Sequence, residues 1–146
     1  MVYHFNALSL LGAGSYAWVQ QYSFNIPEGD LKKAIVEFRD SSQLSPPIES
    51  KLKDEQIGNW YFMYFYYSDE NKIISTMIGS YDNITTEFNF SGIADYDKET
   101  NKVKNFKCVN RDFDLADNIK ILKKFKNTIF KPLKHNVKLL NENGNN

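Results

Sequence analysis

The run from Trp60 to Tyr67 constrains the fold more than any other stretch of this chain. It places eight large apolar or aromatic residues in a row, Trp-Tyr-Phe-Met-Tyr-Phe-Tyr-Tyr. A helix of this composition would be apolar on every side, which only a fully buried or membrane-spanning helix tolerates. A bilayer-spanning helix needs about 20 such residues. Because aromatic side chains suit a pleated sheet, the run predicts a central β-strand.

Alternation along this strand divides its side chains between two faces of the sheet. One face carries Trp60, Phe62, Tyr64 and Tyr66, and the other carries Tyr61, Met63, Phe65 and Tyr67. Two interpretations follow. Both faces are covered, with each tyrosine hydroxyl reaching water or a partner, or one aromatic face is exposed and marks a binding surface. We favour the covered arrangement, because tyrosine tolerates partial exposure without any function.

The remaining patterns predict a single α+β domain, in keeping with a length of 146 residues. In order they indicate a strand at 16–26, a helix at 27–40, an irregular loop at 41–56, four strands within 59–110 and a final helix after 117. Pro132 is expected to end or kink that helix near 128–130. We therefore expect an antiparallel sheet of about five strands with two amphipathic helices packed against it. The domain covers 16–140, and 141–146 form a flexible tail.

The N-terminal segment 1–15 contains a short apolar run that ends in small residues. Its last part, Leu10-Leu11-Gly12-Ala13-Gly14-Ser15, resembles a bacterial lipoprotein cleavage box. Ala13 stands where the lipidated Cys would be, and no Lys or Arg precedes the apolar run. The resemblance implies a signal remnant of a bacterial protein of the cell envelope. The alternative is an N-terminal helix or strand packed on the core of a cytoplasmic protein.

Charge limits the classes of partner. The chain has 18 basic and 18 acidic residues, and a formal net charge of zero argues against nucleic-acid binding. Residues 118–138 nevertheless contain seven Lys and no acidic residue. Such a stretch suits peripheral contact with an anionic membrane or an acidic partner. The solvated face of an amphipathic helix is the simpler explanation, and we favour it.

No arrangement of catalytic or metal-binding residues is recognisable. His4 and His135 are the only histidines, and their positions indicate no triad. Cys108 is expected to be a buried structural thiol. Alternating oxygen donors near residue 100 lack the Gly and Glu of a calcium-binding loop, and predict a solvated turn: Asp95, Asp97, Glu99 and Asn101. We therefore expect neither a metal nor a cofactor.

These observations predict a non-catalytic binding or protein-interaction domain that uses an aromatic sheet face with the 41–56 loop at its rim. The expected contact residues are Trp60, Tyr64 and Tyr66, with Tyr61 and Tyr67 as the alternative face. A small apolar-ligand binder or a toxin-neutralising, immunity-type protein would need the same features. An enzyme using Glu87 or Asp95 would require a deep cleft and strongly shifted carboxylate pKa values.

Overall fold

The computed structural model describes residues 18–80 and 82–144 and confirms an α+β fold. Six antiparallel strands form one sheet in the order β1-β5-β4-β3-β2, and β6 also pairs with β5. The strands are β1 Gln20–Phe24, β2 Glu55–Ile57, β3 Trp60–Tyr67, β4 Lys72–Ser80, β5 Thr86–Asp97 and β6 Lys102–Cys108. The short strand β2 lies within the predicted loop. The predicted segment 1–15 lies outside the described residues.

Strand β5 is the longest, with 12 residues, and β4 pairs along most of it. Strands β1 and β6 pair with its first and second halves respectively. The β4–β5 register skips Ser91, so that Thr76 lies opposite Phe90 whereas Ser75 lies opposite Gly92. This irregularity is a bulge in β5 beside Gly92.

The helices all have one apolar side that packs on the sheet. Helix α1 is Glu28–Ser41, and α2 is Leu115–Phe125. A π-helical turn, Lys126–Phe130, joins α2 directly to α3, Lys131–Gly144. None of the helices within residues 18–80 and 82–144 is both long and apolar enough to cross a membrane.

Pro132 does not end the final helix. At the predicted place the backbone instead adopts the π-helical turn, in which the Lys131 N–H donates to the Lys126 carbonyl five residues earlier. This wider turn accommodates a residue that has no N–H to donate. The helix then continues through Asn141 to Gly144, where the sequence predicts a flexible tail.

One face of the sheet, which we name the helix face, packs against the three helices. Its cluster includes Met63, Phe65 and Tyr67 of β3. The apolar stripes of the amphipathic helices are buried on this face: Leu31, Ala34, Ile35 and Phe38 of α1, and Phe125, Ile129 and Leu133 of the final helix, whereas Ile121 and Leu122 are only half-buried. Phe125 stacks on Phe90 with ring centroids 4.2 Å apart.

The opposite face, which we name the loop face, carries a second buried cluster: Phe62, Tyr64, Tyr66, Ile73, Met77, Ala94, Tyr96 and Val103. Among the described residues, five half-buried side chains pack on it: Val19, Leu52, Ile57, Trp60 and Phe106. Leu52 belongs to the connection between α1 and β2. This connection therefore reaches the loop face from the opposite side of the sheet.

Candidate functional site

The five predicted contact residues do not form one exposed surface. Tyr64, Tyr66 and Tyr67 are 3%, 7% and 5% exposed, and Trp60 and Tyr61 are half-buried. Because both faces of β3 are covered, the first three are core residues in this structure rather than surface contacts. The exposed aromatic patch considered from the sequence is thus not observed on β3.

The alternative pair, Tyr61 and Tyr67, lies on the helix face at the two ends of β3. Each ring lies beneath a lysine ammonium, that of Lys32 at 4.1 Å from the Tyr61 centroid and that of Lys124 at 4.4 Å from Tyr67. Such cation–π contacts join α1 and α2 to the sheet. Both tyrosines therefore have a structural explanation.

The Tyr67 hydroxyl lies 2.9 Å from Thr128 Oγ1. Thr128 donates its one hydroxyl hydrogen to the Lys124 carbonyl, at 2.6 Å. Since that hydrogen is used, Tyr67 must be the donor to Thr128. Burial raises the pKa of Tyr67 to about 12, although the Thr128 hydrogen bond opposes the shift. Tyr67 is therefore a neutral hydrogen-bond donor at physiological pH.

On the loop face, Trp60 covers Gly79 of the neighbouring strand. A Cβ atom at Gly79 would lie 2.8 Å from the indole ring, so a side chain there would displace Trp60. Burial, reinforced by the charges of Glu55 and Asp54, raises the pKa of Tyr64 above its ordinary value. Trp60 thus packs over Gly79, on the same face of β3 as the buried side chain of Tyr64.

Two similar hairpins lie at one end of the loop face. Tyr66 donates to Asn71 Oδ1 at 2.7 Å, and Tyr96 donates to Asn101 Oδ1 at 2.8 Å. The two tyrosine rings meet edge to face at 5.7 Å. Both asparagines have left-handed backbones, with φ of 53° and 59°. The repeated spacing Tyr-x4-Asn-Lys is visible in the sequence, and it would have indicated these equivalent turns.

Beyond β2, the edge of β3 is covered by Arg39 of α1 and by residues of the α1–β2 connection. Arg39 forms a bidentate ion pair with Asp54, with distances of 2.9 and 2.8 Å, and also donates to the Tyr64 carbonyl. Asp54 Oδ1 accepts from the Tyr64 N–H, and the Leu44 carbonyl accepts from the Tyr66 N–H. These contacts replace a neighbouring strand. They also fix the connection that carries Leu52 onto the loop face.

Two buried polar atoms near the middle of the loop face have no hydrogen-bond partner within the described part of the chain. They are Ser75 Oγ and Asn89 Oδ1, and both residues are 2% exposed. Ser75 lies opposite Tyr64, and Asn89 lies opposite Met77. The sequence carries a signal for Asn89, which lies between Phe88 and Phe90, whereas Ser75 is followed by another polar residue, Thr76. The sequence patterns described above assign neither residue to a site.

A groove of about 330 Å³ lies on the other side of the sheet, between α2 and β5. It is lined by Tyr67, Glu70, Ile93, Phe113, Asp117, Lys120, Ile121 and Lys124. Lys124 already bonds to Asp69 and Glu70. The lining therefore mixes charges of both signs, and it contains neither of the two partnerless atoms of the loop face.

The acidic residues considered from the sequence stabilise turns and helix ends. Asp97 accepts from the Glu99 and Thr100 N–H groups. Asp114 caps α2 by accepting from the Asp117 N–H at 2.8 Å. Within residues 18–80 and 82–144, no group of three or more His, Cys, Asp or Glu side chains is placed to hold a metal ion.

Cys108 is 1% exposed, as predicted, and burial raises the pKa of its thiol. His135 is exposed on α3. A buried thiol with a raised pKa is a poor nucleophile, so neither residue forms a recognisable catalytic site.

Comparisons with protein-family models, with characterised proteins and with solved structures find no significant match.

Proposed function

We propose that the protein is a non-catalytic binding domain whose ligand lies against the loop face. The ligand is small and largely apolar, and it carries an O–H or N–H group. The observation that carries this proposal is the pair of buried, partnerless atoms, Ser75 Oγ and Asn89 Oδ1, surrounded by aromatic and aliphatic side chains.

Leaving a buried polar atom without a hydrogen bond costs about 1–3 kcal/mol. Two such atoms on one face lower the stability of the fold. Replacing both residues by apolar ones would restore that stability. Asn89 Oδ1 is an acceptor, whereas Ser75 Oγ can donate or accept. A ligand hydroxyl or N–H would satisfy the amide oxygen and remove its penalty. The surrounding rings supply the apolar contact area typical of small-molecule sites.

Burial of the tyrosines favours a small ligand over direct docking of a protein. A protein partner, including a toxin neutralised by this chain, would need access to Tyr64 and Tyr66, which are at most 7% exposed. A small molecule needs less room, but Ser75 and Asn89 are each 2% exposed, so it must enter by displacing the half-buried side chains of Leu52 and Trp60 at the margin of the cluster. The α1–β2 connection therefore forms one rim of the proposed site.

The carboxylates give little support to an enzyme. Partial burial would raise the pKa of Asp95, but hydrogen bonds from Lys72 and Asn105 outweigh it, and the pKa lies below its ordinary value. A general acid at neutral pH needs the opposite shift. Asp95 thus serves better as an ion-pair partner than as a catalyst.

The test uses Trp60 as a reporter, because it lies on the proposed site. In a Trp18→Phe background it is the only tryptophan of the chain. Titration with 1-octanol and with octyl methyl ether, followed by Trp60 fluorescence, compares a ligand that has an O–H with one that lacks it. We expect saturable changes, with the alcohol bound about fivefold more tightly because one hydrogen bond contributes about 1 kcal/mol.

Replacing the two polar residues by Ser75→Ala with Asn89→Leu should abolish the preference for the alcohol. The double variant should also fold at least as stably, since it removes two partnerless atoms. Ser68→Ala with Asn127→Leu is the matched control at exposed positions and should keep the preference. The absence of any saturable change with either probe, or equal binding of both by the unaltered site, would refute the proposal.

A further inference from the structure

The lysines of the final helix are not equivalent. Lys124 bonds to Asp69 and Glu70 and lies over the Tyr67 ring. The other six are exposed, and none forms an ion pair within the described residues: Lys120, Lys123, Lys126, Lys131, Lys134 and Lys138. Six positive charges thus remain without neutralisation along one helix.

Their spacing places them in one row. Lys123 and Lys126 are three residues apart, and Lys131, Lys134 and Lys138 continue at intervals of three and four, which lie on one side of an α-helix. The five-residue step from Lys126 to Lys131 coincides with the π-helical turn. Because residues five apart are bonded neighbours in a π-helix, this turn keeps both halves of the row aligned.

No acidic residue interrupts the row, which spans a long surface, although Glu70 and Asp117 line the groove beside Lys120. After Asp117, the next acidic residue is Glu142. The 18 intervals between Lys120 and Lys138 extend over roughly 27 Å at about 1.5 Å per residue. Asp114 and Asp117 lie before its first lysine. A flat anionic surface would therefore meet positive charge along nearly the whole helix.

One large apolar side chain lies beside the lysines near the start of the row. Ile119 is 56% exposed and precedes Lys123 by four residues, so that both lie on one side of α2. Leu139 is also exposed, at 43%, but it lines a groove with Ala34 and Phe38 of α1 and lies off the lysine side. An exposed aliphatic residue beside a row of lysines is typical of helices that lie in a lipid headgroup region.

We propose that the exposed side of α2 and α3 lies on an anionic lipid surface. The lysines would approach lipid phosphates, and Ile119 would enter the headgroup layer. A nucleic acid would match the charges but offers no apolar partner to Ile119. The loop face lies on the other side of the sheet, so that this contact is independent of the proposed ligand site.

The test is co-sedimentation of the full chain with vesicles of phosphatidylcholine alone or of an equal mixture with phosphatidylglycerol. We expect binding only to the anionic vesicles, weakened by added salt. Lys123→Gln with Lys126→Gln and Lys131→Gln should lower the partition coefficient on the order of 100-fold, because each lysine near such a surface contributes about fivefold. Ile119→Ser should lower it by about tenfold.

A matched control removes the same charge elsewhere, through Lys51→Gln with Lys53→Gln and Lys98→Gln, all at exposed positions. This variant should bind almost as the unaltered protein does. Equal losses in both triple variants, or equal binding to neutral vesicles, would overturn the proposal. So would binding of duplex DNA or polyglutamate through the same lysines without any vesicle binding.

Discussion

Two glycines show how far the effect of one methyl group depends on its surroundings. A Cβ atom at Gly92 would lie 2.6 Å from the Phe106 ring and still closer to the Lys107 carbonyl, whereas one at Gly29 meets nothing within 4 Å. Gly92 is buried at the bulge of β5, and Gly29 is exposed in the first turn of α1. The two positions therefore provide a matched pair of substitutions.

We expect Gly92→Ala to lower the free energy of unfolding by about 2–3 kcal/mol, because backbone and ring must move to admit the methyl group. Gly29→Ala should raise it by about 0.5 kcal/mol, since alanine loses less backbone entropy in a helix. Urea unfolding measures both. If Gly92→Ala left the free energy of unfolding unchanged, the β5–β6 pairing would have to relax freely around the added methyl group. That result would contradict the close contacts with Phe106 and Lys107.

At the scale of elements, β3 is protected along its edge without a full neighbouring strand. Strand β2 pairs with only its first three residues. Beyond them, Arg39, Asp54 and Leu44 occupy the backbone groups of Tyr64 and Tyr66. Covering a strand edge in this way prevents a strand of another chain from pairing with it. The same contacts hold α1 and its following connection against the sheet.

We expect Arg39→Ala to destabilise the protein by about 3 kcal/mol, because it leaves the part-buried Asp54 carboxylate and the Tyr64 carbonyl without their partner. Lys32→Ala is the comparison, since Lys32 forms only a partly exposed pair with Glu28 and a contact with Tyr61. Its cost should stay below about 1 kcal/mol. In a double-mutant cycle, Arg39→Ala and Asp54→Ala should be strongly coupled, and simple additivity would contradict this account.

Across the whole molecule, several carboxylates join elements that are distant in the chain. Glu28 of α1 accepts from Ser80 of β4, and Asp69 bonds to Lys124 of α2. Asp112 acts locally instead, since it accepts from the Cys108 N–H four residues earlier, at the end of β6. The Arg111 hydrogen bond, helped by that N–H and opposed by partial burial, holds the pKa of Asp112 below its ordinary value. The pKa of Asp69 is also lowered, mainly by Lys124.

Lowered carboxylate pKa values in the folded protein determine the sign of its acid response. The unfolded chain takes up protons first, near its ordinary Asp value of 3.8, so this stabilisation is complete above that pH and is lost as the pH falls through the folded pKa values. We expect the urea midpoint to be level near neutrality and to fall below about pH 4. Asp112→Asn should make the urea midpoint fall less steeply below that pH. If the pH dependence of the midpoint stayed unchanged in this variant, Asp112 would make no such contribution.

Local periodicity accounts for what could be predicted. The stripe of Leu31, Ile35 and Phe38 and the two faces of β3 both follow from the direction in which neighbouring side chains point. The candidate site was predictable only in part. The loop-face position of Tyr64 is local, but the pairing of Arg39 with Asp54 and the absence of partners for Ser75 and Asn89 depend on other strands.

The sequence by itself thus determined the α+β class, the element order and the side of each element that is apolar. These properties depend on backbone geometry, which repeats every two or 3.6 residues. The tertiary structure decided that both faces of β3 are covered, that the helix passes through Pro132, and that six lysines form one row. Those properties depend on burial and on pairing between residues that lie far apart in the chain, and no local sequence pattern specifies such contacts.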